Sequence, residues 1–221
     1  MVGPVVGQMQ SVFLDNWIRA NGRVLHGEAY FPALKPAGDY SAQMFSSSPR
    51  GGSESMQLMY LLAITASRTS IALSNSYFVP DEMTIRTLID AARRGVKIRV
   101  IVPSGHTDSE TVRKASRATW GPMLEAGIEI AEYEPTMFHV KGLVVDGAFS
   151  SVGSTNFDNR SFRLNDEANL NVLSREFGQT QLTVFERDWA RSRKITLQEW
   201  RARPLTERFW EQLASLLRTQ L

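Results

Sequence analysis

His139-Val140-Lys141-Gly142-Leu143-Val144-Val145-Asp146, continued by Gly147-Ala148-Phe149-Ser150-Ser151-Val152-Gly153-Ser154-Thr155-Asn156, is the stretch on which the reading of this chain turns. Two strand-like runs, 140–145 and 149–154, flank Asp146-Gly147, a pair suited to a tight turn, so the stretch is expected to be a β-hairpin. Residues two apart on a strand share a face, so His139 and Lys141 point the same way. Ser154 and Asn156, on the return arm, can point there too. An imidazole, an ammonium, a hydroxyl and an amide converging on one spot suit a phosphate: a fixed cation, neutral donors, and a nitrogen that serves as nucleophile or proton carrier. Taken singly these residues are ordinary, since a lone histidine at a strand start is commonly structural and a lone lysine commonly solvated. Their spacing is not ordinary, because it fixes six positions over eighteen residues.

Outward from the hairpin, strands and helices alternate. Helices are expected over 53–67, with Ser53 as N-cap and Leu58, Leu61 and Leu62 on one face, and over 81–94, 109–126, 177–190 and 206–217. Strands are expected over 69–79, 96–102, 128–133 and 168–173. The alternation argues an α/β sandwich with a mixed sheet. Residues 1–22 read as a strand fragment and a helix stopped at Gly22. Residues 31–53 lack periodicity, and Ser46-Ser47-Ser48-Pro49-Arg50-Gly51-Gly52-Ser53 reads as a loop or linker. A boundary near residue 50 divides the chain into 1–50 and 51–221.

The His139–Asn156 pattern resembles the HKD signature of the phospholipase D superfamily, here present once. The surroundings resemble the C-terminal half of bacterial cardiolipin synthases of that type. The resemblance is carried by Ser76-Tyr77-Phe78-Val79-Pro80-Asp81, Arg94-Gly95-Val96-Lys97-Ile98-Arg99, Leu124-Glu125-Ala126-Gly127-Ile128, Asn159-Arg160-Ser161, Leu164-Asn165-Asp166-Glu167, Trp200-Arg201 and Arg203-Pro204. It implies a phospholipase D-like α-β-α sandwich lobe over 51–221, with 1–50 as a remnant of a preceding lobe and linker. It also implies a two-step phosphatidyl transfer between two phosphatidylglycerols through a phosphohistidine, without metal or other cofactor. Carried onto this sequence, His139 is the nucleophile or the acid–base partner, and Lys141, Ser154 and Asn156 hold the phosphate oxygens. Glu167 matches an acidic residue that orients a histidine. Asp146 completes the catalytic set at a lower rank, being mostly structural in the family.

These enzymes carry two motifs in one chain, and the other histidines here, His26 and His106, lack the lysine two residues on. A second HKD lobe is therefore expected in trans, from a homodimer or from a cognate N-terminal half. The other expected partners are anionic phospholipid and a membrane surface. The rival readings are a one-motif homodimeric phosphodiesterase or nuclease and a catalytically incomplete lipid-binding lobe.

Composition narrows the classes. The chain has 221 residues, no cysteine, and 25 Lys plus Arg against 23 Asp plus Glu. Disulfides, thiolate catalysis and cysteine zinc sites are excluded. A formal charge of +2 is not that of a nucleic-acid coat protein, and nucleic acid is not an expected partner. No secretory leader or membrane-spanning run is read in the sequence, so the expected place is peripheral at the cytoplasmic membrane. Between Arg187 and Arg208, seven basic residues interleave with Trp189 and Trp200, a cluster read either as a solvated face or as a contact for anionic lipid.

Overall fold

The computed structural model describes residues 1–49, 54–217 and 220. Among them an eight-stranded sheet runs in the order β1-β7-β6-β5-β2-β3-β4-β8. Its strands are β1 Ser41–Ser47, β2 Ser70–Asn75, β3 Lys97–Pro103, β4 Glu129–Tyr133, β5 Lys141–Val145, β6 Phe149–Gly153, β7 Glu167–Leu173 and β8 Ser192–Ile195. The helices are α1 Val5–Asn21, α2 Ser55–Ala66, α3 Glu82–Arg93, α4 Glu110–Ala118, α5 Trp120–Glu125, α6 Asn159–Arg163, α7 Arg175–Trp189, α8 Leu197–Arg201 and α9 Leu205–Ser215.

Strands β2, β3 and β4 are parallel because helical crossovers join them, whereas β5, β6 and β7 are antiparallel. Asp146 and Gly147 take φ of 53° and 61°, the sense a type I′ turn demands, and Val145 pairs with Phe149 across it. One face of the sheet is covered by α2, α3, α5 and α6, whose Met56, Tyr60, Leu88, Trp120 and Phe162 are buried on Leu73, Val100 and Leu143. The other face is covered by α7, which seats Phe185 and Trp189 on Ala72, Ile101 and Val144. Further along that face, Val5 of α1 meets Leu170 and Val172. The result is an α/β sandwich on a mixed sheet.

Several local expectations are corrected. Residues 1–4 form no strand, and the patternless 31–53 contains β1, which pairs antiparallel with β7. Its sequence, Ser-Ala-Gln-Met-Phe-Ser-Ser, carries little strand signal, and tertiary pairing overrides propensity there. Helix α2 buries Met56, Tyr60 and Ile64, one turn apart, while Leu58 and Leu62 face solvent. Its expected cap, Ser53, lies outside the described residues. The helix expected over 109–126 breaks into α4 and α5 around Thr119. Pro122 has no N–H to offer Ala118, so the helix restarts with the proline in its first turn. The strand expected to reach Val79 stops at Asn75, where the chain bends.

Candidate active site

The site is built at the end of the sheet where β2 and β3 finish and β5 begins. Three segments are laced together there. Asn75 is fully buried, and its Oδ1 accepts from the backbone N–H groups of Tyr77 and Phe157, both at 3.2 Å. Val79 N donates to Phe157 O at 2.9 Å, and Ser76 N donates to Val140 O at 2.9 Å. The 75–79, 138–141 and 155–158 segments are thereby fixed as one unit. Gly153 turns the return arm into this corner, since a Cβ there would collide with the backbone of Ala168 and Asn169.

Lys141 opens β5 and is buried, whereas His139, two residues earlier, is about half exposed. Both adjoin Tyr77: the imidazole meets its ring edge-on at 5.8 Å, and Lys141 Nζ lies 5.9 Å from the ring centroid. Burial pulls the Lys141 ammonium below its usual range, and Glu167, Asp108 and Asp158 oppose that pull by favouring the charged form. Ser154 Oγ donates to Glu167 Oε2 in a close contact and accepts from Ala168 N at 3.0 Å. Asn165 Nδ2 donates to the other Glu167 oxygen at 3.2 Å. Asn156 accepts from Ser76 Oγ at 2.9 Å, which turns its carbonyl toward β2. Burial pushes the Asp158 carboxyl up to about 6, although Ser161 N donates to it at 2.6 Å as the cap of α6.

His139, Lys141, Ser154, Asn156 and Glu167 therefore gather at one end of the hairpin. Asp146 does not. It sits at the other end of β5, roughly 16 Å away at the rise of a strand. There its Oδ1 accepts from Thr69 N at 2.8 Å and Ser70 N at 3.0 Å, and its Oδ2 from Arg68 N at 2.9 Å. Asp146 thus stands apart from the other residues of the expected set and clamps the hairpin turn to the start of β2, in keeping with its expected structural rank. Glu167, expected beside a histidine, is bonded within this chain to Ser154 and Asn165.

Two groups at the site have no counterpart in the sequence reading. Tyr77 Oη donates to Asp108 Oδ2 at 2.7 Å, and that same oxygen lies 3.7 Å from His139 Nδ1. Both follow parallel strands, Tyr77 after β2 and Asp108 in the loop after β3, where α/β sheets collect ligand-binding residues. Strand order was the signal that could have found them. Of the other histidines, His26 is exposed in a loop and His106 Nδ1 meets Glu134 O at 3.0 Å. Among the described residues no cluster of three His, Cys, Asp or Glu is placed to hold a metal ion.

The basic cluster is largely committed to internal pairs. Arg193 reaches buried Glu132 at 2.6 Å, Arg203 reaches buried Glu211 at 3.0 Å, and Arg201 reaches Glu125 at 2.5 Å. Trp189 is packed under the sheet, and Trp200 Nε1 donates to Arg117 O at 2.8 Å.

A family model described as cardiolipin synthase, PLD-like domain, matches residues 60–189. Cardiolipin synthase A of Proteus mirabilis is 33% identical over 222 residues, covering 96% of this chain and 44% of that protein. The cardiolipin synthase of Geobacillus thermodenitrificans is 32% identical over 217 residues, covering 97% of this chain and 43% of that protein. The chain thus spans less than half the length of these relatives. Among solved structures, the phospholipase D family member Nuc from Salmonella typhimurium matches with a TM-score of 0.61 at 21% identity, over 72% of this chain and 99% of that one. The phosphatidylserine synthase of Haemophilus influenzae matches with a TM-score of 0.64 at 12% identity, over 86% of this chain and 50% of that one. Both share the fold. With the family model matched across more than half of its length, the chain belongs to the phospholipase D-like domain family of the cardiolipin synthases.

Proposed function

We propose that this chain is a catalytic lobe of a phosphatidyltransferase that condenses two phosphatidylglycerols into cardiolipin and glycerol, with its second histidine supplied by another lobe. The observation that carries the reading is a buried lysine beside a half-exposed imidazole at one sheet end. That pairing gives a phosphodiester a fixed cation and a nitrogen nucleophile in one place. Written for His139 as nucleophile, Nε2 attacks phosphorus and the bond to the leaving glycerol oxygen breaks. The second histidine protonates that oxygen, then takes the proton from the incoming phosphatidylglycerol hydroxyl. That oxygen attacks phosphorus and the N–P bond breaks. Lys141, Ser154 and Asn156 hold the non-bridging oxygens, and Glu167 fixes Ser154 while supporting the charge on Lys141.

A second lobe is supported by α1. Its Val12-Phe13-x3-Trp17 repeats Val184-Phe185-x3-Trp189 of α7. The two Phe–Trp pairs stack alike, with centroids 5.9 and 5.8 Å apart. In α7 the pair lies under the sheet, whereas in α1 Phe13 is 57% exposed. Helix α1 is read accordingly as the counterpart of α7 in a preceding lobe, whereas β1 belongs to the sheet described above. A membrane surface is supported by α9, which leaves Leu205, Phe209, Trp210 and Leu213 exposed, with Leu216 just after it, the residue types of an interfacial helix. Among the described residues no helix is long and apolar enough to cross a bilayer.

The test is cardiolipin formation from phosphatidylglycerol vesicles by the purified chain, in which a second copy would supply the other histidine, with His139→Ala alongside. Product from the wild type and none from the variant is the expected result. Cleavage of DNA or of a soluble phosphodiester with the lipid untouched would replace this reading with the phosphodiesterase one.

A further inference from the structure

A cavity of about 240 Å³ lies beside the site, between α1 and the sheet ends of β1 and β7. Val12, Asp15, Asn16 and Arg19, one stripe of α1, form one wall, and Ser47, Ser154 and Glu167 form another. Strand order places it. Lys141 opens β5, Ser154 follows β6, Glu167 opens β7, and Ser47 closes β1 opposite Glu167. A phosphate held by Lys141 and Ser154 therefore lies two strand spacings, roughly 10 Å, from Ser47. One buried group marks the cavity as a site and not a packing gap. Ser47 is 5% exposed, and its Oγ has no hydrogen-bond partner among the described residues. A buried hydroxyl left unpaired costs free energy, and a hydroxylated ligand would satisfy it as donor and acceptor together.

The walls select the chemistry of that ligand. Asp15, Asp166 and Glu167 stand against one cation, Arg19, so a second anion is disfavoured. An amine is poorly served as well. Asp166 is paired with Arg19 at 2.7 Å, and both Glu167 oxygens already accept, one from Ser154 and one from Asn165. Hydroxyls suit the cavity better, with Val12 and Ala168 against the carbons that carry them. Its volume is below the ~300 Å³ at which drug-sized pockets begin, which fits a small polyol and not an acyl chain. We propose that this cavity is a polyol pocket that holds the glycerol head group of the phosphatidylglycerol bound at His139 and Lys141, with Ser47 as its specificity-determining residue. The identity of the lipid rests on the phosphatidyl-transfer reading, whereas the binding test needs no turnover.

The test is amide NMR of the ¹⁵N-labelled chain in the His139→Ala background, titrated with the water-soluble dihexanoyl forms of phosphatidylglycerol, phosphatidic acid and phosphatidylethanolamine. All three should perturb the amides of Lys141 and Asn156, and phosphatidylglycerol alone should also perturb those of Asn16 and Ser47. Adding Ser47→Ala should weaken phosphatidylglycerol ~3–10-fold, the size of one hydrogen bond, and leave phosphatidic acid unchanged. The melting temperature of Ser47→Ala should equal or exceed that of its parent, because the lost hydroxyl had no partner, whereas loss of a merely structural serine would lower it. Equal affinity for phosphatidylglycerol and phosphatidic acid, with Ser47 undisturbed, overturns the proposal. So does phosphatidylethanolamine perturbing Ser47 as strongly as phosphatidylglycerol, which would assign the cavity to an amine. Free glycerol binding there as tightly as the lipid also overturns it, in favour of a soluble polyol. A chain that binds phosphatidylglycerol in this way but, with His139 restored, makes no cardiolipin would defeat the functional reading and leave the pocket standing.

Discussion

The two ends of the β5–β6 hairpin are equally polar and do opposite things. At the turn, Asp146 accepts from the backbone N–H groups of Arg68, Thr69 and Ser70 and from the Thr69 hydroxyl, so its oxygens are fully engaged by the protein. At the other end, Lys141 is buried with no carboxylate in ion-pair contact among the described residues, and His139 stands half exposed with the Asp108 carboxylate at 3.7 Å. A closed polar cluster lowers the energy of the fold, while an open one keeps donors and a lone pair for something outside the protein. The motif therefore divides by function along its own length. In the proposed reading the His and Lys face the substrate, while the Asp ties the hairpin to the strand beside it.

That division can be broken by substitution. The largest effect is expected from His139→Ala, which should cut lipid turnover by ~10³-fold or more while the melting temperature stays put. Lys141→Ala should cost ~10²–10³ in turnover, the size of a lost transition-state cation. Because burial penalises its charge, removing Lys141 should leave thermal stability equal or higher, as read by calorimetry. Asp146→Ala should reverse the pattern: a loss of about 2 kcal/mol in urea unfolding, with turnover per folded molecule unchanged.

The Asp146 effect also has a pH signature. Burial alone would raise the Asp146 carboxyl, but the bonds from Ser70, Thr69 and Arg68 outweigh it and hold it below its ordinary 3.8. A depressed carboxyl contributes stability that is fully present above the unfolded value and is lost as pH falls through the folded one. The gap between wild type and Asp146→Ala should thus persist from pH 7 to about 4 and close in stronger acid. The smallest effect is expected from Phe13→Ala, within ~0.5 kcal/mol in the isolated chain. Phe185→Ala, its counterpart under the sheet, should cost ~3 kcal/mol. A second lobe bound over α1 would make Phe13→Ala costly as well.

The hairpin was legible because its signals are local: an Asp-Gly turn, strand-like runs on both sides, and motif residues two apart. The parallel core was legible for the same reason, with Gly95 and Gly127 closing helices before apolar strands. What escaped depends on distant partners. Strand β1 is ordered by β7, whose residues stand 120 or more positions later. Helix α2 offers two apolar stripes, and only the sheet decides that Met56, Tyr60 and Ile64 go inside rather than Leu58 and Leu62. Tyr77 and Asp108 are 31 residues apart and ordinary singly, and they become a pair because β2 and β3 end side by side.

The position of β1 has a consequence for how the chain is made. Synthesis runs from the N-terminus, so β1 leaves the ribosome before β7, the strand it pairs with. Ser47 faces Glu167, and at ~5–20 residues per second the intervening stretch takes roughly 6–24 s to appear. The β2–β3 crossover unit needs no such wait. During that interval β1 has unpaired backbone on both edges, and a neighbouring nascent chain offering its own β7 could receive it. The order of this sheet thus leaves β1 open to strand exchange between chains on one message, and crowded translation is the condition under which to look for it.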